Sequence, residues 1–591
     1  MIILYGSESG TAQDFAEQTW QTFHRNGTKI VAKCMPFDDF QIAQLSDEKI
    51  AIFIVSTSGQ GEVPTNMRKN WRYLLSRKLS AQWLSNLHFA VLALGDSSYQ
   101  KYNFAGKKLY RRLLQLGAKP VMELALADEQ HILGVDEVFE KWLPELVEIV
   151  KKLPASNLDE NAQIVKTQKF LVEFAPSNLA NSSQYHPISV VANDRLTDQA
   201  HFQETRLITL ATRPFESELS YFPGDVLMVL PENLPQSVRI AIDVLDQCRH
   251  RLDEPFHICR TSSNVPLRPQ FSRFFTSDVP LTLRDCLCFY FDLQSVPKRF
   301  FLRALAKCSP SELERDRLLE LCSVEGIDDF LDYCQHPRRT LAELLRDFPN
   351  TASRLGPSEL FDFFPVIRPR AFSIASSPTA HPGQIQILVA RVEYAVKKMA
   401  SLRFGLCSNF LCTRQIGAKV YVRIRPGLFK YHRNGVDGSG CGPLLLVGPG
   451  TGVAPHRSIV AENEAAADDD GHSSSITLFF GCRGVQRDFY FKNEWSNCAK
   501  STVVTAFSRD EPGKKVYVQH KILEHSAAVC RLLEQNDCRV FIAGSAGAMP
   551  QAVVAALKEA LRTVRNVTEG EADERIERME RSGRIVYETW S

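Results

Sequence analysis

Three short apolar runs near the start of the chain each end in small polar residues and lead into a helix-like, amphipathic stretch. They read IILYG at residues 2–6, IAIFIVSTS at 50–58 and FAVLALGDSS at 89–98. Apolar strands that alternate with helices are typical of a parallel sheet with crossover helices. Strand–helix alternation returns near the end of the chain in the runs PLLLVGPGTG, SITLFFGCRG, STVVTAFSRD and CRVFIAGSAG. The sequence therefore predicts an α/β domain at each end.

The middle of the chain follows a different pattern. Residues 184–197 and 223–233 are β-like, residues 234–356 are rich in Leu, Arg and Glu at helical spacing, and β-like stretches return after them. This order predicts a β domain interrupted by a helical insertion. The length of 591 residues suits three or four domains. We therefore expect domains at 1–150, 167–435 and 442–591, with a linker at 151–166 and the insertion at about 234–356.

Composition narrows the functional class. The net charge of +2 gives no reason to expect nucleic acid as a partner. The 15 cysteines form no CxxC pair and no zinc-type cluster, which favours a reducing compartment and no metal site. No basic leader precedes Ile2, and no run reaches the roughly 18 to 20 apolar residues that span a bilayer. We expect a cytoplasmic protein that does not bind membranes.

The first small-polar turn, YGSESGTA, lies between a predicted strand and a predicted helix. A helix N-terminus offers unpaired backbone N–H groups, and hydroxyls of Ser7, Ser9 and Thr11 add donors. Gly10 lets the backbone approach a ligand closely. Such a turn can bind a phosphate without a cationic side chain, provided that the Glu8 carboxylate points away to solvent. By itself, however, a turn of this composition can also simply cap a helix.

Two later turns, residues 56–66 and 94–104, also follow apolar runs. Ligands of open parallel sheets bind outside the carboxyl ends of the strands, so the three turns should converge on one ligand. The second turn is Gly-rich and the third offers Tyr99 as a stacking face. A planar ring with a phosphate tail, as in FMN, fits this combination.

These motifs make the first 150 residues resemble a flavodoxin-type FMN domain. In that family the first turn holds the phosphate and the other two flank the isoalloxazine ring. One departure is Ser58, which stands where related reductases often have an aromatic residue; a missing stack would weaken FMN binding by about 1–3 kcal/mol. The resemblance implies an FMN site formed by Ser7, Glu8, Ser9, Gly10, Thr11, Ala12, Ser56, Thr57, Ser58, Gly59, Gln60, Gly61, Leu94, Gly95, Asp96, Ser97, Ser98, Tyr99, Tyr102, Asn103 and Glu129.

A second flavin motif is RPRAFSIASSP at residues 368–378. A guanidinium such as that of Arg370 can bond two pyrophosphate oxygens at once. The motif resembles the RxxS sequence of ferredoxin–NADP reductases, and GLCSNFL at 405–411 resembles that family's turn before a pyrophosphate-binding helix. The resemblance implies FAD binding by Arg338, Arg370, Ala371, Phe372, Ser373, Gly405, Leu406, Cys407 and Ser408.

The carboxyl terminus reads RIVYETWS. A terminal aromatic residue is often frayed. In the diflavin reductases, however, such a residue stacks over the flavin and moves aside for the nicotinamide, and Trp590 matches it. Glu588 matches an acid that supports hydride transfer. The resemblance thus implies catalytic roles for Ser373, which would hydrogen-bond the flavin N5, and for Glu588 and Trp590.

Two further motifs indicate NADPH. LLLVGPGTGVAPHRS at 444–458 is a strand, a Gly-rich turn and a helix, and AFSRDEPGKKVYVQH at 506–520 supplies hydroxyls and cations suited to a 2′-phosphate. Relatives often have Cys at position 543 and Asp near 552, where this chain has Ala543 and Ala552. The implied NADPH site comprises Gly450, Thr451, Gly452, Ser508, Arg509, Lys515, Val516, Tyr517, Val518 and Gln519.

The order of motifs resembles the diflavin reductases over the whole chain. The expected fold is a multidomain α/β protein: a flavodoxin-like doubly wound domain, a β-barrel FAD domain with a helical insertion, and a Rossmann-like NADP domain. The resemblance implies electron flow from NADPH to FAD to FMN to a one-electron acceptor. The chain resembles most the short, soluble branch of this family. That resemblance implies an anamorsin-type iron–sulfur protein as the acceptor, in cytosolic iron–sulfur cluster assembly. A reductase of a haem protein and a non-catalytic flavin-binding sensor remain alternatives.

Overall fold

The computed structural model describes residues 1–25, 31–59, 61–99, 101–153, 169–174, 185–217, 219–261, 265, 281–396, 399, 401–429, 431, 442–465 and 475–590. The predicted site residue Gln60, most of the predicted linker, and the polar stretches 432–441 and 466–474 lie outside these residues. The chain divides into two compact units. The first comprises 1–177, 255–271 and 357–362, and the second comprises the rest.

The first unit is built on a parallel sheet whose central strands are almost completely buried. Its strands, in order across the sheet, are Lys33–Pro36, Ile2–Gly6, Ile50–Ser56, His88–Gly95 and Lys119–Pro120, and Ala125–Asp128 also pairs with His88–Gly95. The helices are Thr11–Arg25, Arg68–Leu74, Phe104–Gln115 and Asp136–Lys152, with short 3₁₀ turns at Phe37–Asp39, Ile42–Ser46 and Thr65–Met67. All strand pairs are parallel, so the three predicted ligand-binding turns leave the same edge of the sheet.

A small two-stranded antiparallel sheet completes the first unit. Phe170–Glu173 pairs with His257–Arg260, a strand within the segment for which the sequence predicts helices. The backbone N–H of Lys169 donates to Asp362 Oδ1 at 2.7 Å, and the Lys169 ammonium lies 3.7 Å from Glu17 Oε2 on the helix Thr11–Arg25. Because both side chains of this ion pair are buried, the contact fixes the small sheet to the flavodoxin-like part of the same unit.

The second unit begins with a six-stranded antiparallel sheet. Its strand order is Arg370–Ser373, Val226–Leu230, Lys419–Arg425, His186–Arg195, Thr205–Ala211 and Gln384–Ala390. A bridge between Ile374 and Ile387 joins the two outer strands, so the sheet closes into a barrel around an apolar core. A hairpin, Glu393–Tyr394 with Arg403–Phe404, leads into the helix Leu406–Cys412 beside the barrel.

Helices dominate the interruption of the barrel sequence, as its composition predicts. They are Pro235–Val244, Asp246–Arg249, Leu283–Phe289, Arg299–Cys308, Glu312–Glu320, Ile327–Phe330, Leu341–Asp347 and Pro349–Ala352, with a π-helical turn at Leu331–Gln335; the helix Pro357–Phe363 follows. Capping boxes begin two of them, at Thr282 and Thr340.

The last part of the second unit is a five-stranded parallel sheet. Its order is Ser501–Phe507, Ile476–Cys482, Leu444–Pro449, Arg539–Ser545 and Ile585–Trp590. The helices are Val453–Glu464, Lys492–Ser496, Val518–Glu524, Ser526–Glu534, Ala548–Arg565 and Glu569–Arg581, and a 3₁₀ turn spans Gly450–Gly452. None of the helices in the described part of the chain combines the length and apolar character needed to cross a membrane.

Candidate active site

The first predicted phosphate turn is preorganised by its own hydrogen bonds. Ser7 Oγ accepts from the Gly10 backbone N–H at 2.9 Å, and Gly10 has a φ of 100°, which favours glycine. The helix begins directly afterwards at Thr11. Glu8 is turned out of the cradle, because its carboxylate accepts from the backbone N–H of Thr65 at 2.9 Å and from the Thr65 hydroxyl. The turn can therefore offer N–H groups and hydroxyls to a phosphate without charge repulsion from Glu8.

Backbone contacts bring the three turns together. Ser56 Oγ donates to the Gly6 carbonyl at 3.1 Å, and the Thr57 N–H donates to the Leu94 carbonyl at 3.0 Å. On the far side, the N–H of Glu129 donates to the Gly95 carbonyl at 2.9 Å. The remaining predicted members of these turns lie along the same edge: Ser9, Ala12, Gly59, Gly61, Asp96, Ser97, Tyr99 and Tyr102.

Three buried polar atoms at this edge have no hydrogen-bond partner among the described residues. They are Ser58 Oγ, Ser98 Oγ and Asn103 Oδ1. Buried polar groups normally find a partner, so unpaired ones on loops that converge suit a polar ligand that is bound there. The residues therefore fit FMN, whose phosphate and ring edges supply both donors and acceptors.

A cavity of about 470 Å³ in the second unit contains most of the predicted FAD residues. Gly405 must lack a side chain there, because an added Cβ would lie 2.8 Å from Ser408 Oγ. Arg338 is not among the lining residues; it lies exposed in a turn with a φ of 49°. The predicted residues that line the cavity are Arg370, Ala371, Phe372, Ser373, Gly405, Leu406, Cys407, Ser408 and Trp590.

Ser373, which lines this cavity, donates from its hydroxyl to Glu588 Oε1. Glu588 itself is not among the lining residues of this cavity or of the larger one described next. Burial of the carboxyl raises the pKa of Glu588 from 4.5 to about 7, although the hydrogen bond from Ser373 opposes the increase. The Glu588 side chain is partly exposed as a whole, yet its Oε2 atom is buried and has no partner among the described residues. The carboxyl therefore lies one hydrogen bond behind a hydroxyl that lines the cavity, and its unpaired oxygen can accept a further donor.

A second cavity of about 520 Å³ is lined by most of the residues predicted to bind NADPH. Gly452 packs beneath it, since an added Cβ there would lie 2.3 Å from the Ala543 carbonyl oxygen. Arg509 and Lys515 are not among the lining residues; they are exposed, and neither forms an ion pair within the described part of the chain. The predicted residues that line the cavity are Gly450, Thr451, Ser508, Val516, Tyr517, Val518, Gln519 and Trp590.

The two cavities share Ala390, Thr451 and Trp590. Trp590 is 38% exposed, although it lies one residue from the end of the chain. A ligand in the larger cavity and one in the smaller cavity would therefore meet at this indole and beside the Ser373–Glu588 pair. That arrangement suits transfer of a hydride between two ring systems.

Several lining residues were not predicted from the sequence. Gln203, Arg483, Asp488 and Tyr490 line the larger cavity, and the Arg483 guanidinium donates to Gln203 Oε1 at 3.3 Å. Arg483 follows the strand Ile476–Cys482, so the rule that ligands bind at carboxyl ends of parallel strands could have identified it. Gln203 comes from the barrel part of the unit, where no local pattern indicates it.

Comparisons with known proteins agree with this division of sites. The flavodoxin family model matches residues 3–142, the FAD binding domain model matches 180–410, and the oxidoreductase NAD-binding domain model matches 446–555. Proteins described as NADPH-dependent diflavin oxidoreductase 1 are 37% identical in Danio rerio, 36% in Mus musculus and 33% in Schizosaccharomyces pombe. Each alignment covers 100% of this chain and 99% of the relative.

The chain belongs to the NADPH-dependent diflavin oxidoreductases. It is an NADPH-dependent flavoprotein oxidoreductase with FMN, FAD and NADPH as its cofactors. The predicted three-part fold is likewise confirmed. In this diflavin oxidoreductase the first unit carries the flavodoxin part, and the second unit carries both the barrel and the nucleotide-binding sheet.

Proposed function

We propose that electrons enter from NADPH, pass to FAD, then to FMN, and leave one at a time to an anamorsin-type iron–sulfur protein of cytosolic iron–sulfur cluster assembly. The observation that supports the first step most strongly is the pair of cavities that share Trp590 and Thr451. When bound, the FAD ring supplies hydride acceptance and the FMN ring supplies single-electron release. The protein supplies binding, orientation and electrostatics.

Particular side chains of the second unit would act in the transfer from NADPH to FAD. Ser373, which lines the smaller cavity, donates to the Glu588 carboxyl behind it. An ionised carboxylate at that position would stabilise the positive charge that develops on a nicotinamide as it loses hydride. Trp590, which lines both cavities, would cover a bound flavin and would have to move aside for a nicotinamide to reach it. Arg509 and Lys515, exposed and without ion pairs within the described residues, would bind the 2′-phosphate of NADPH.

The acceptor and the cytoplasmic location are inferred from the resemblance of the whole chain to the short branch of the family. The acceptor can be tested directly by anaerobic stopped-flow. Protein reduced by NADPH is mixed with a purified [2Fe–2S] protein of the anamorsin type or with a haem protein, and reduction of each is followed by absorbance. We expect fast reduction of the iron–sulfur protein. Faster reduction of the haem protein would contradict the proposal and favour a haem-protein reductase.

A further inference from the structure

The small two-stranded sheet of the first unit has one accessible face. Side chains alternate between the two faces of a strand, and Phe170 is buried whereas Leu171 and Glu173 are exposed. The register of the sheet places Glu173 directly opposite His257, and Cys259 follows two residues after His257 on the same strand. Glu173, His257 and Cys259 therefore share this face.

The polar atoms of these three side chains lie close together. His257 Nε2 and Glu173 Oε2 are 2.8 Å apart, and one potential ligand atom from each of the three side chains lies within 4.8 Å of the other two. The Cys259 thiol is not part of a disulfide. An exposed pair of His and Glu stabilises a fold little and needs no third group. The thiol beside the pair is the observation that a simple ion pair leaves unexplained.

The three donor types narrow the ligand to one class of metal ion. A thiolate is too soft for Mg²⁺ and Ca²⁺, which prefer oxygen, whereas Zn²⁺ accepts thiolate, imidazole and carboxylate ligands. In a tetrahedral zinc site, bonds of about 2.1 Å to N and O and about 2.3 Å to S separate the ligand atoms by about 3.4–3.6 Å. Atoms that already lie within 4.8 Å of one another can reach that spacing by small rotations of their side chains.

Backbone contacts hold the two strands together at the end that is remote from Glu173 and His257. The Lys169 carbonyl accepts from the Thr261 N–H at 3.0 Å and from the Thr261 hydroxyl at 3.1 Å, and the Lys169 N–H donates to Asp362 Oδ1. A metal ion at the other end would cross-link segments that are 84 residues apart in the sequence. A cross-link of this kind closes a long loop and so favours the paired strands.

We propose that Glu173, His257 and Cys259 form a Zn²⁺ site, with water as the fourth ligand. The thiol gives up its proton to solvent as the sulfur binds, and the two anionic ligands then balance the charge of the ion. Sequence spacing alone predicts no metal site here, because one strand supplies only two ligands and the third comes from a distant segment. None of the three residues belongs to the predicted flavin or nucleotide sites, so the proposal does not depend on the electron path.

Titration of the full-length holoenzyme with Zn²⁺ tests the proposal. The protein is stripped with a chelator, kept reduced and titrated against a fluorescent zinc indicator, in parallel with Cys259→Ser and Glu173→Gln. Cys498→Ser is the matched control, since that cysteine is also half-buried and a serine hydroxyl can keep its hydrogen bond to the Glu494 carbonyl. We expect the unmodified enzyme and the control to bind one equivalent that Cys259→Ser binds at least about 100-fold more weakly, since even a lost supporting group costs about 10- to 100-fold.

Cobalt identifies the ligands, and hydrogen exchange locates the site. Co²⁺ in a tetrahedral thiolate site absorbs at longer wavelengths than oxidised flavin, so difference spectra of the oxidised enzyme should show bands that Cys259→Ser lacks. Zn²⁺ should slow amide exchange in Phe170–Glu173 and His257–Arg260, in the unmodified enzyme and the control but not in Cys259→Ser. Flavin content and NADPH-driven bleaching of the flavins should match in all four proteins, which checks that each variant folds.

Three results would overturn the proposal. Equal zinc affinity and stoichiometry in all four proteins would show that Glu173 and His257 form only an ion pair beside an uninvolved thiol. Cobalt bands or slower exchange that persist in Cys259→Ser would place the metal elsewhere in a chain that contains 15 cysteines and 14 histidines. Full zinc affinity in Glu173→Gln would remove the carboxylate from the site and, with it, the link between the two strands.

Discussion

The predicted FMN turns and the paired cavities offer different chemical groups to a ligand. The predicted FMN turns present backbone N–H groups and hydroxyls at the edge of a sheet, and the Glu8 carboxylate is turned away onto Thr65. The paired cavities share an aromatic residue, Trp590, and the smaller one is lined by Ser373, which donates to the Glu588 carboxyl. Burial raises the pKa of that carboxyl to about 7. The first arrangement suits a flavin at the edge of a sheet, whereas the second suits two rings that meet where the cavities share Trp590.

This difference matches the two kinds of electron transfer. Hydride transfer moves two electrons and a proton between atoms in contact, so it needs preorganised polar groups in a place that excludes water. Single-electron transfer to a partner protein needs an accessible ring edge and a surface that orients the partner. The predictions below test whether the two sites are specialised in this way.

The largest effect is expected from Glu588→Gln. The substitution removes the negative charge but keeps an oxygen that can accept from Ser373, so flavin reduction by NADPH should slow about 100-fold at pH 8. In the unmodified enzyme the rate should fall as the pH decreases below about 7, since the carboxyl is then protonated. The variant should lose this pH dependence. Anaerobic stopped-flow absorbance over a pH series measures both.

The same substitution should lower the rate of flavin reduction but raise the stability of the fold. The pKa of Glu588 in the folded protein lies above its ordinary value of 4.5. Ionisation of this carboxyl therefore lowers the stability of the fold progressively as the pH rises from 4.5 to about 7, and the full penalty persists above that pH. Above that pH, Glu588→Gln should stabilise the second unit by about 1–3 kcal/mol. Glu574→Gln, on an exposed helix, is the control for both measurements. Equal rates and pH profiles for Glu588→Gln and the unmodified enzyme would contradict the role of the carboxyl.

A smaller effect is expected at the rim of the nucleotide cavity. Arg509→Ala should raise KM for NADPH and reduce its preference over NADH by about 10- to 100-fold, because a charge-assisted hydrogen bond to the 2′-phosphate is worth about 1.5–3 kcal/mol. Steady-state kinetics with both nucleotides measure the ratio. Lys514→Ala is a matched control, since that lysine is already paired with Glu511 at 3.3 Å. An unchanged preference in the Arg509 variant would remove the assignment.

The smallest effect concerns the open flavin site. Ser58→Tyr would supply the aromatic neighbour that this chain lacks. Of the about 1–3 kcal/mol expected for a full stack, the attraction between the rings beyond their buried area contributes about 0.5–1.5 kcal/mol. FMN should therefore be retained about 2- to 10-fold more tightly, as measured by flavin fluorescence after dialysis, while FAD content stays constant. Weaker retention of FMN in the variant would show that Ser58 itself is required by the ligand.

The sequence predicted the features that depend on local pattern. Apolar runs that end in Ser, Gly and Thr identified three parallel strands whose carboxyl ends lie at one edge of a sheet, and RPRAFS identified the strand Arg370–Ser373. Contacts between distant segments could not be predicted in the same way. The bridge between Ile374 and Ile387 closes the barrel, and the strand His257–Arg260 pairs with Phe170–Glu173. Both pairings join segments that are far apart in the sequence, and no local periodicity encodes their register. The predicted roles of Arg338 and Arg509 stay predictions.

Removal of FMN alone tests the central claim most directly. The holoenzyme is depleted of FMN under conditions that keep FAD bound, mixed with NADPH under argon, and then offered cytochrome c. We expect NADPH to bleach the FAD at an undiminished rate while cytochrome c reduction is lost, and added FMN to restore it. Full cytochrome c reduction by the FMN-free protein would contradict the account, because electrons would then leave directly from FAD.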